Sequence, residues 1–224
     1  MKNDNILNQQ HKYYESYLKI KNNPRYKKAW KFLKKNYPGG KLLDIGCANG
    51  DFSGPLVKKG YDCYGLEYKD EAIKESAGKG IKVIRGSFLE KFPYKDNFFD
   101  IVFAGEVIEH TTNDSRFLRE INGIVKPGGL IILTIPNLVS LGNRLLILFG
   151  RLPRFAYAEF HYRIYTAGLI KNKMIKAGFK IKKIDSSYIL ISTFFNKYLG
   201  LFGERLGTFF PKLGEHLIIY AKKR

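Results

Sequence analysis

The chain has four histidines among its 224 residues, and two of them stand where an imidazole, which exchanges protons near neutral pH, could take part in a reaction. His110 closes the run Glu106-Val107-Ile108-Glu109-His110, directly after a short apolar stretch at Asp100 to Ala104. His161 opens the run His161-Tyr162-Arg163-Ile164-Tyr165-Thr166. Either ring suits the removal of a proton from a hydroxyl. The competing readings are structural: His110 as a cap of the following loop, Glu106 as a residue that orients its own loop, and Arg163 as half of a surface ion pair rather than a site for an anionic group. Thr166 reads as a helix N-cap. Neither cysteine is placed for covalent catalysis, since Cys47 belongs to a glycine loop and Cys63 to the middle of a strand. Glu106, Glu109 and His110 come nearest to a metal-ligand set, but adjacency gives Glu109 and His110 no reason to converge, so no metal is expected.

A second chemistry-bearing stretch is Leu42-Leu43-Asp44-Ile45-Gly46-Cys47-Ala48-Asn49-Gly50, an apolar strand that runs into a loop of small residues and then a helix. Glycine at 46 and 50 permits positive φ and a close backbone approach, so main-chain N–H groups can face a bound ligand. A tight turn without a ligand is the alternative. The next strand ends in Leu66-Glu67, about 20 residues on, where nucleotide-binding α/β folds place a carboxylate for the ribose hydroxyls. The G-x-x-x-G spacing lacks the three glycines of a dinucleotide fingerprint, which disfavours a dehydrogenase.

Regular elements must hold these residues in place. Short apolar runs at 41–45, 61–66, 81–85, 100–104, 130–135, 179–184 and 215–221 read as strands. Amphipathic stretches at 51–59, 69–77, 116–125 and 166–177 read as helices between them. Such alternation implies a parallel sheet covered by helices. Ahead of it, residues 1–40 form a basic, aromatic-studded helical segment divided at Pro24. The main domain then runs from 41 to 224, interrupted by apolar insertions at 138–162 and 188–211.

Four motifs together, LLDIGCANG at 42–50, LE at 66–67, FFDIVFAGEVIEH at 98–110 and KPGGLIILTIPN at 126–137, resemble the class I S-adenosylmethionine-dependent methyltransferases. The last two are similar to small-molecule O-methyltransferases, including those of quinone biosynthesis. The resemblance implies a Rossmann-like α/β fold with a mostly parallel seven-stranded sheet, helices on both faces and apolar cap insertions. It implies S-adenosylmethionine as cofactor. Asp44, Gly46, Ala48 and Gly50 would surround the methionine part, with Cys47 and Asn49 completing the loop; Glu67 would hold the ribose and Tyr68 flank the adenine. Glu106 would help position cofactor or acceptor. Where such families often carry an Asp near the adenine amino group, this chain has Gly86-Ser87-Phe88, so Ser87 and Phe88 inherit that place with a weaker, uncharged acceptor. His110, with His161 as the second candidate, would serve as base for methylation of a small-molecule, lipid-like or glycan-type acceptor.

Net charge is +19, unevenly spread. Between Asp44 and Glu120 there are 14 acidic and 11 basic residues, whereas 28 basic and six acidic residues lie outside. The flanks therefore suit an anionic partner or are simply a solvated lysine-rich surface. The two insertions, rich in Leu, Phe and Tyr with Arg144, Arg151, Arg154, Lys197 and Arg205 interspersed, suit an anionic membrane surface; the alternative is an ordinary cap or dimer contact. Nucleic-acid methylation by way of the basic flanks is the competing function, and a cofactor-binding protein without catalysis is a third. The two cysteines give no disulfide framework and the polar start no secretory signal, so a cytoplasmic protein, at most peripheral at a membrane, is expected.

Overall fold

The computed structural model describes residues 23–153, 161–189 and 197–224, the last segment by backbone alone for 197–202. The predicted helical stretch before Asn23, Arg154 and the middle of each insertion lie outside the described residues. Helix α1 spans Pro24–Asn36 and strand β1 Lys41–Ile45. They are followed by α2 (Gly54–Val57), β2 (Asp62–Glu67), α3 (Asp70–Gly78), β3 (Lys82–Arg85), β4 (Phe99–Gly105), α4 (Asp114–Ile124) and β5 (Val125–Pro136). The chain closes with α5 (Leu141–Leu148), α6 (Ala167–Lys176), β6 (Phe179–Ser186), α7 (Lys197–Phe209) and β7 (His216–Lys223).

The strands form one seven-stranded sheet in the order β3-β2-β1-β4-β5-β7-β6. All pairings from β3 to β5 are parallel, and β7 runs antiparallel to both β5 and β6. The expected mostly parallel α/β sheet is therefore what the chain builds. Side chains that alternate along each strand feed two cores. Leu43, Ile45, Val102, Ala104, Ile131 and Leu133 pack on one face with Phe117, Leu118 and Ile121 of α4 and Ile170 and Met174 of α6. Leu42, Ile101, Phe103, Leu130, Ile132 and Tyr220 pack on the other with Ala29 and Leu33 of α1 and Leu56 of α2. Period-two burial on both faces is the signature of a sheet sandwiched between helices.

Three elements differ from expectation. The helix expected over 51–59 shrinks to Gly54–Val57, because Gly50 and Gly60 flank it with positive φ and Pro55 sits at its start. Strand β5 begins at Val125, before Pro127-Gly128-Gly129, since Val125 pairs with Phe99 ahead of a register shift that absorbs the glycines. Helix α4 starts two residues earlier than the periodicity indicates, capped by the Asn113 side chain, which accepts from the Arg116 N–H. Thr166 does cap α6, accepting from the Leu169 N–H at 3.2 Å.

The chain builds β1, β2 and β3 outward in one direction, then crosses back to place β4 on the other side of β1. The carboxyl ends of β1 and β4 thus flank the point where the winding reverses, and open α/β sheets bind their ligands in the crevice that opens there.

Candidate active site

The loop after β1 turns back on itself through three positive φ values in five residues: 67° at Gly46, 45° at Ala48 and 76° at Gly50. Its amides are tied to the neighbouring strand. Gly46 and Cys47 N–H groups donate to the Leu66 carbonyl at 2.8 and 3.3 Å, and Ala48 N–H donates to Glu67 Oε2 at 3.0 Å. A Cβ on Gly46 would lie 3.1 Å from Val107, and one on Gly50 only 2.5 Å from Ile81 and 2.9 Å from Ser76. Glycine at 46 therefore lets the loop press against the segment that carries Glu106 to His110, and glycine at 50 lets it dock on α3.

Glu67 is the hinge of this arrangement. Buried at the end of β2, its Oε1 accepts from the Tyr68 and Lys69 N–H groups at 2.8 and 3.0 Å while Oε2 holds Ala48. Three backbone donors fix a carboxylate with room for about four hydrogen bonds, which leaves a preoriented acceptor site for a sugar hydroxyl. Tyr68 follows, 54% exposed and available to a flat ligand. These residues fit a nucleoside cofactor.

Other predicted cofactor residues take different parts. Asp44 is buried beneath the loop, where its Oδ2 accepts from the Ser53 hydroxyl at 2.6 Å. The Cys47 thiol is buried too, 2.6 Å from where a Cβ on Gly65 would be, so Cys47 can offer only its main chain to a ligand. Burial pushes its thiol pKa up, and that of Cys63 to about 12, which keeps both inert. Asn49 is anchored through its carbonyl, which accepts from Lys79 Nζ at 2.6 Å. Ser87 Oγ accepts from the Leu89 N–H at 3.1 Å and keeps a lone pair free, while half-buried Phe88 packs on the core.

Burial, with a smaller contribution from the Glu67 charge, lifts the Asp44 carboxyl to about 7 against the opposing hydrogen bond from Ser53. Its folded-state pKa then lies above the unfolded value of about 3.9, so between those two the native state holds a proton that the unfolded chain has released, and stability falls as pH rises through that window. Asp44→Asn cannot ionise. Its stability relative to the parent should grow between pH 4 and pH 7, by at most about 4 kcal/mol, and level off above. Urea unfolding of both proteins without cofactor across that range checks this, and a constant difference would refute it.

On the other side of the switch point, Glu106 adopts φ 57°, unusual outside glycine. Its N–H donates to the Thr134 carbonyl, Thr134 Oγ1 donates to its Oε1 at 3.0 Å, and Arg25 Nη1 of α1 lies 2.9 Å from its Oε2. Burial alone would raise the Glu106 pKa; Arg25 first, and then the Thr134 hydrogen bond, pulls it below the usual range. His216 Nε2 sits 3.8 Å from the same oxygen, and burial with the nearby Arg25 drops its pKa to about 3, so this ring is neutral. Glu106 is thus an ionised anchor inside a buried network.

Glu109 is the opposite case. It is 1% exposed and, among the described residues, neither carboxylate oxygen has a hydrogen-bond partner; burial first, then the Glu106 charge, pushes its pKa well above the usual range. His110 next to it faces His161 edge to face, ring centroids 4.8 Å apart. The return segment is held there by the Arg163 N–H, which donates to the Glu109 carbonyl, by an Arg163 bond to the Thr112 carbonyl, and by Tyr165 OH, which donates to Asp114. The sequence reading found both histidines but not their convergence with Glu109: one ligand atom from each of the three lies within 4.8 Å of the others. The ground for expecting no metal is thereby removed. Arg25 and His216 were missed altogether. Arg25 is one cation in a lysine-rich run and His216 opens an edge of apolar sequence, and nothing local marks either.

Residues 43–133 match the family model described as a methyltransferase domain. Over 126 residues the chain is 34% identical to an uncharacterised protein of Methanocaldococcus jannaschii, covering 55% of this chain and 59% of that protein. It is 34% identical over 104 residues to the ubiquinone biosynthesis O-methyltransferase of Sinorhizobium fredii, covering 44% and 42% of the two chains. The chain thus spans about half the length of the curated relatives it matches. Among solved structures, a Thermotoga maritima S-adenosylmethionine-dependent methyltransferase, described as a possible histamine N-methyltransferase, superposes with TM-score 0.71 over 98% of this chain and 99% of its own at 21% identity. An S-adenosylmethionine-dependent methyltransferase from Archaeoglobus fulgidus gives 0.67 over 94% and 99% at 19% identity. With the loop, the Glu67 carboxylate and the seven-stranded order in place, residues 43–133 form a methyltransferase domain, and the chain takes the fold of S-adenosylmethionine-dependent methyltransferases.

Proposed function

We propose that this protein methylates a hydroxyl of a small-molecule, lipid-like or glycan-type acceptor, with S-adenosylmethionine supplying an electrophilic methyl group on its sulfonium. The observation that carries the reading is the pair His110 and His161, in edge-to-face contact at 4.8 Å on the carboxyl side of the sheet, beside the segment that Gly46 packs against. Oxygen needs to lose its proton as it takes the methyl, and an imidazole nitrogen in this pair receives it. Glu67 holds the ribose, and Glu106, fixed by Arg25 and Thr134, orients the acceptor side of the crevice. Positioning and exclusion of water supply the rest of the rate. Relatives named for ubiquinone O-methylation support an oxygen acceptor.

A second reading of the same cluster follows from its geometry. A divalent cation held by Glu109, His110 and His161 would bind and acidify the acceptor hydroxyl, replacing an imidazole base.

One experiment separates these readings. The protein is incubated with methyl-labelled S-adenosylmethionine and a cell extract, with and without a chelator, and the lipid, small-molecule, glycan, RNA and protein fractions are counted. Label in the lipid, small-molecule or glycan fraction is expected; label confined to RNA would transfer the function to nucleic acid, where the basic flanks would bind phosphates. Transfer that survives the chelator assigns the proton to a histidine. Loss on chelation with recovery on adding a divalent ion assigns it to the metal.

A further inference from the structure

Helix α5 leaves the sheet directly after β5 and presents apolar side chains where a surface helix ordinarily turns polar ones to water. Leu145 is 41% exposed, Ile147 53%, Leu148 74% and Phe149 75%, with Leu152 beyond them at 58%. At the end of α7, Phe209 is 77% and Phe210 57% exposed. The bases of the two elements meet at one corner of the fold. Asn137, between β5 and α5, donates from its side-chain amide to the Lys212 and Gly214 carbonyls at 2.9 and 2.8 Å, and its N–H donates to the Glu215 carbonyl. That corner lies at the carboxyl end of β5, the edge on which the candidate active site opens.

We propose that this apolar corner is a docking surface for an anionic lipid bilayer. Large apolar side chains exposed in succession along α5, and again at the end of α7, mark an interaction site, and charge decides its occupant. Exposed Arg144, Arg151, Arg205 and Lys212 flank the corner, and no Asp or Glu occurs from Leu138 to Pro153. A second copy brought face to face would oppose those cations with their own kind on a chain of net charge +19; lipid phosphates would complement them while Leu148, Phe149, Phe209 and Phe210 enter the acyl boundary. Among the described residues no helix is long and apolar enough to cross a membrane, so the contact is with one surface. Docking there sets the crevice against the bilayer, from which a lipophilic acceptor can pass without crossing water. That use of the surface, though not the surface itself, rests on the methyl-transfer reading.

The test measures co-flotation of the full chain with vesicles of phosphatidylcholine alone and of equimolar phosphatidylcholine and phosphatidylglycerol, for the parent and for Leu148→Ser/Phe149→Ser and Phe209→Ser/Phe210→Ser. Serine leaves the net charge untouched, so any loss reports apolar insertion rather than electrostatics. Expected is binding to the anionic vesicles with roughly tenfold weaker partitioning of each double variant. Thermal unfolding and calorimetric affinity for S-adenosylmethionine should match the parent. Absence of binding to anionic vesicles, undiminished binding of both variants, or a parent dimer in sedimentation that either pair dissociates would each overturn the proposal. Cofactor affinity, measured separately, shows whether the methyl-transfer reading has failed instead.

Discussion

Glu67→Ala should weaken S-adenosylmethionine binding by one to two orders of magnitude. The carboxylate is placed to meet a ribose hydroxyl, and a hydrogen bond to a charged group contributes about 1.5–3 kcal/mol, a factor of roughly 10 to 150. Removal also strands the amides of Ala48, Tyr68 and Lys69, which Glu67 now gathers, so both walls of the cleft lose their common post. Glu67→Gln keeps the shape and one good acceptor oxygen and should fall between parent and alanine variant. Calorimetric titration measures all three, with circular dichroism to confirm that the sheet survives. Equal affinity in the parent and Glu67→Ala would show that the nucleoside does not sit on this edge.

The second large effect belongs to the histidines. Replacing the ring that takes the proton with alanine should lower kcat by about 10²–10⁴ while leaving cofactor affinity unchanged. The other ring touches the first and should cost less when removed, through lost orientation. Because the two act as a unit, the double variant His110→Ala/His161→Ala should be little worse than the more damaging single one. Undiminished turnover in a single variant removes that residue as base. A fall in cofactor affinity equal to the fall in rate would make the histidines binding residues.

Much of this site was readable from local sequence because its parts are set by local rules. Gly46 and Gly50 announce a loop that needs positive φ, Glu67 ends a strand at the expected interval, and His110 follows β4 within a handful of residues. Strand alternation at Leu42-Leu43 or Ile131-Ile132 specified a sheet covered on both faces. What escaped reading depends on contacts far apart in the chain. Arg25 reaches Glu106 across 81 positions, and His161 meets His110 across 51; no spacing within either segment encodes those meetings. Asp44 was legible as the residue that leads into the loop, but its hydrogen bond from Ser53, nine residues on, was not. Helices α5 and α7 lie in the apolar insertions, where the regular strand–helix alternation of the rest of the chain stops.

The central claim is that S-adenosylmethionine lies over the Gly46–Gly50 loop with its sugar on Glu67 and its reactive end toward His110 and His161. A crystal structure of the protein soaked with S-adenosylhomocysteine tests it most directly. The account predicts a ribose hydroxyl within hydrogen-bonding distance of Glu67 and the sulfur turned toward the two imidazoles. A nucleoside bound elsewhere, or on the loop with its sulfur directed away from both rings, would contradict it.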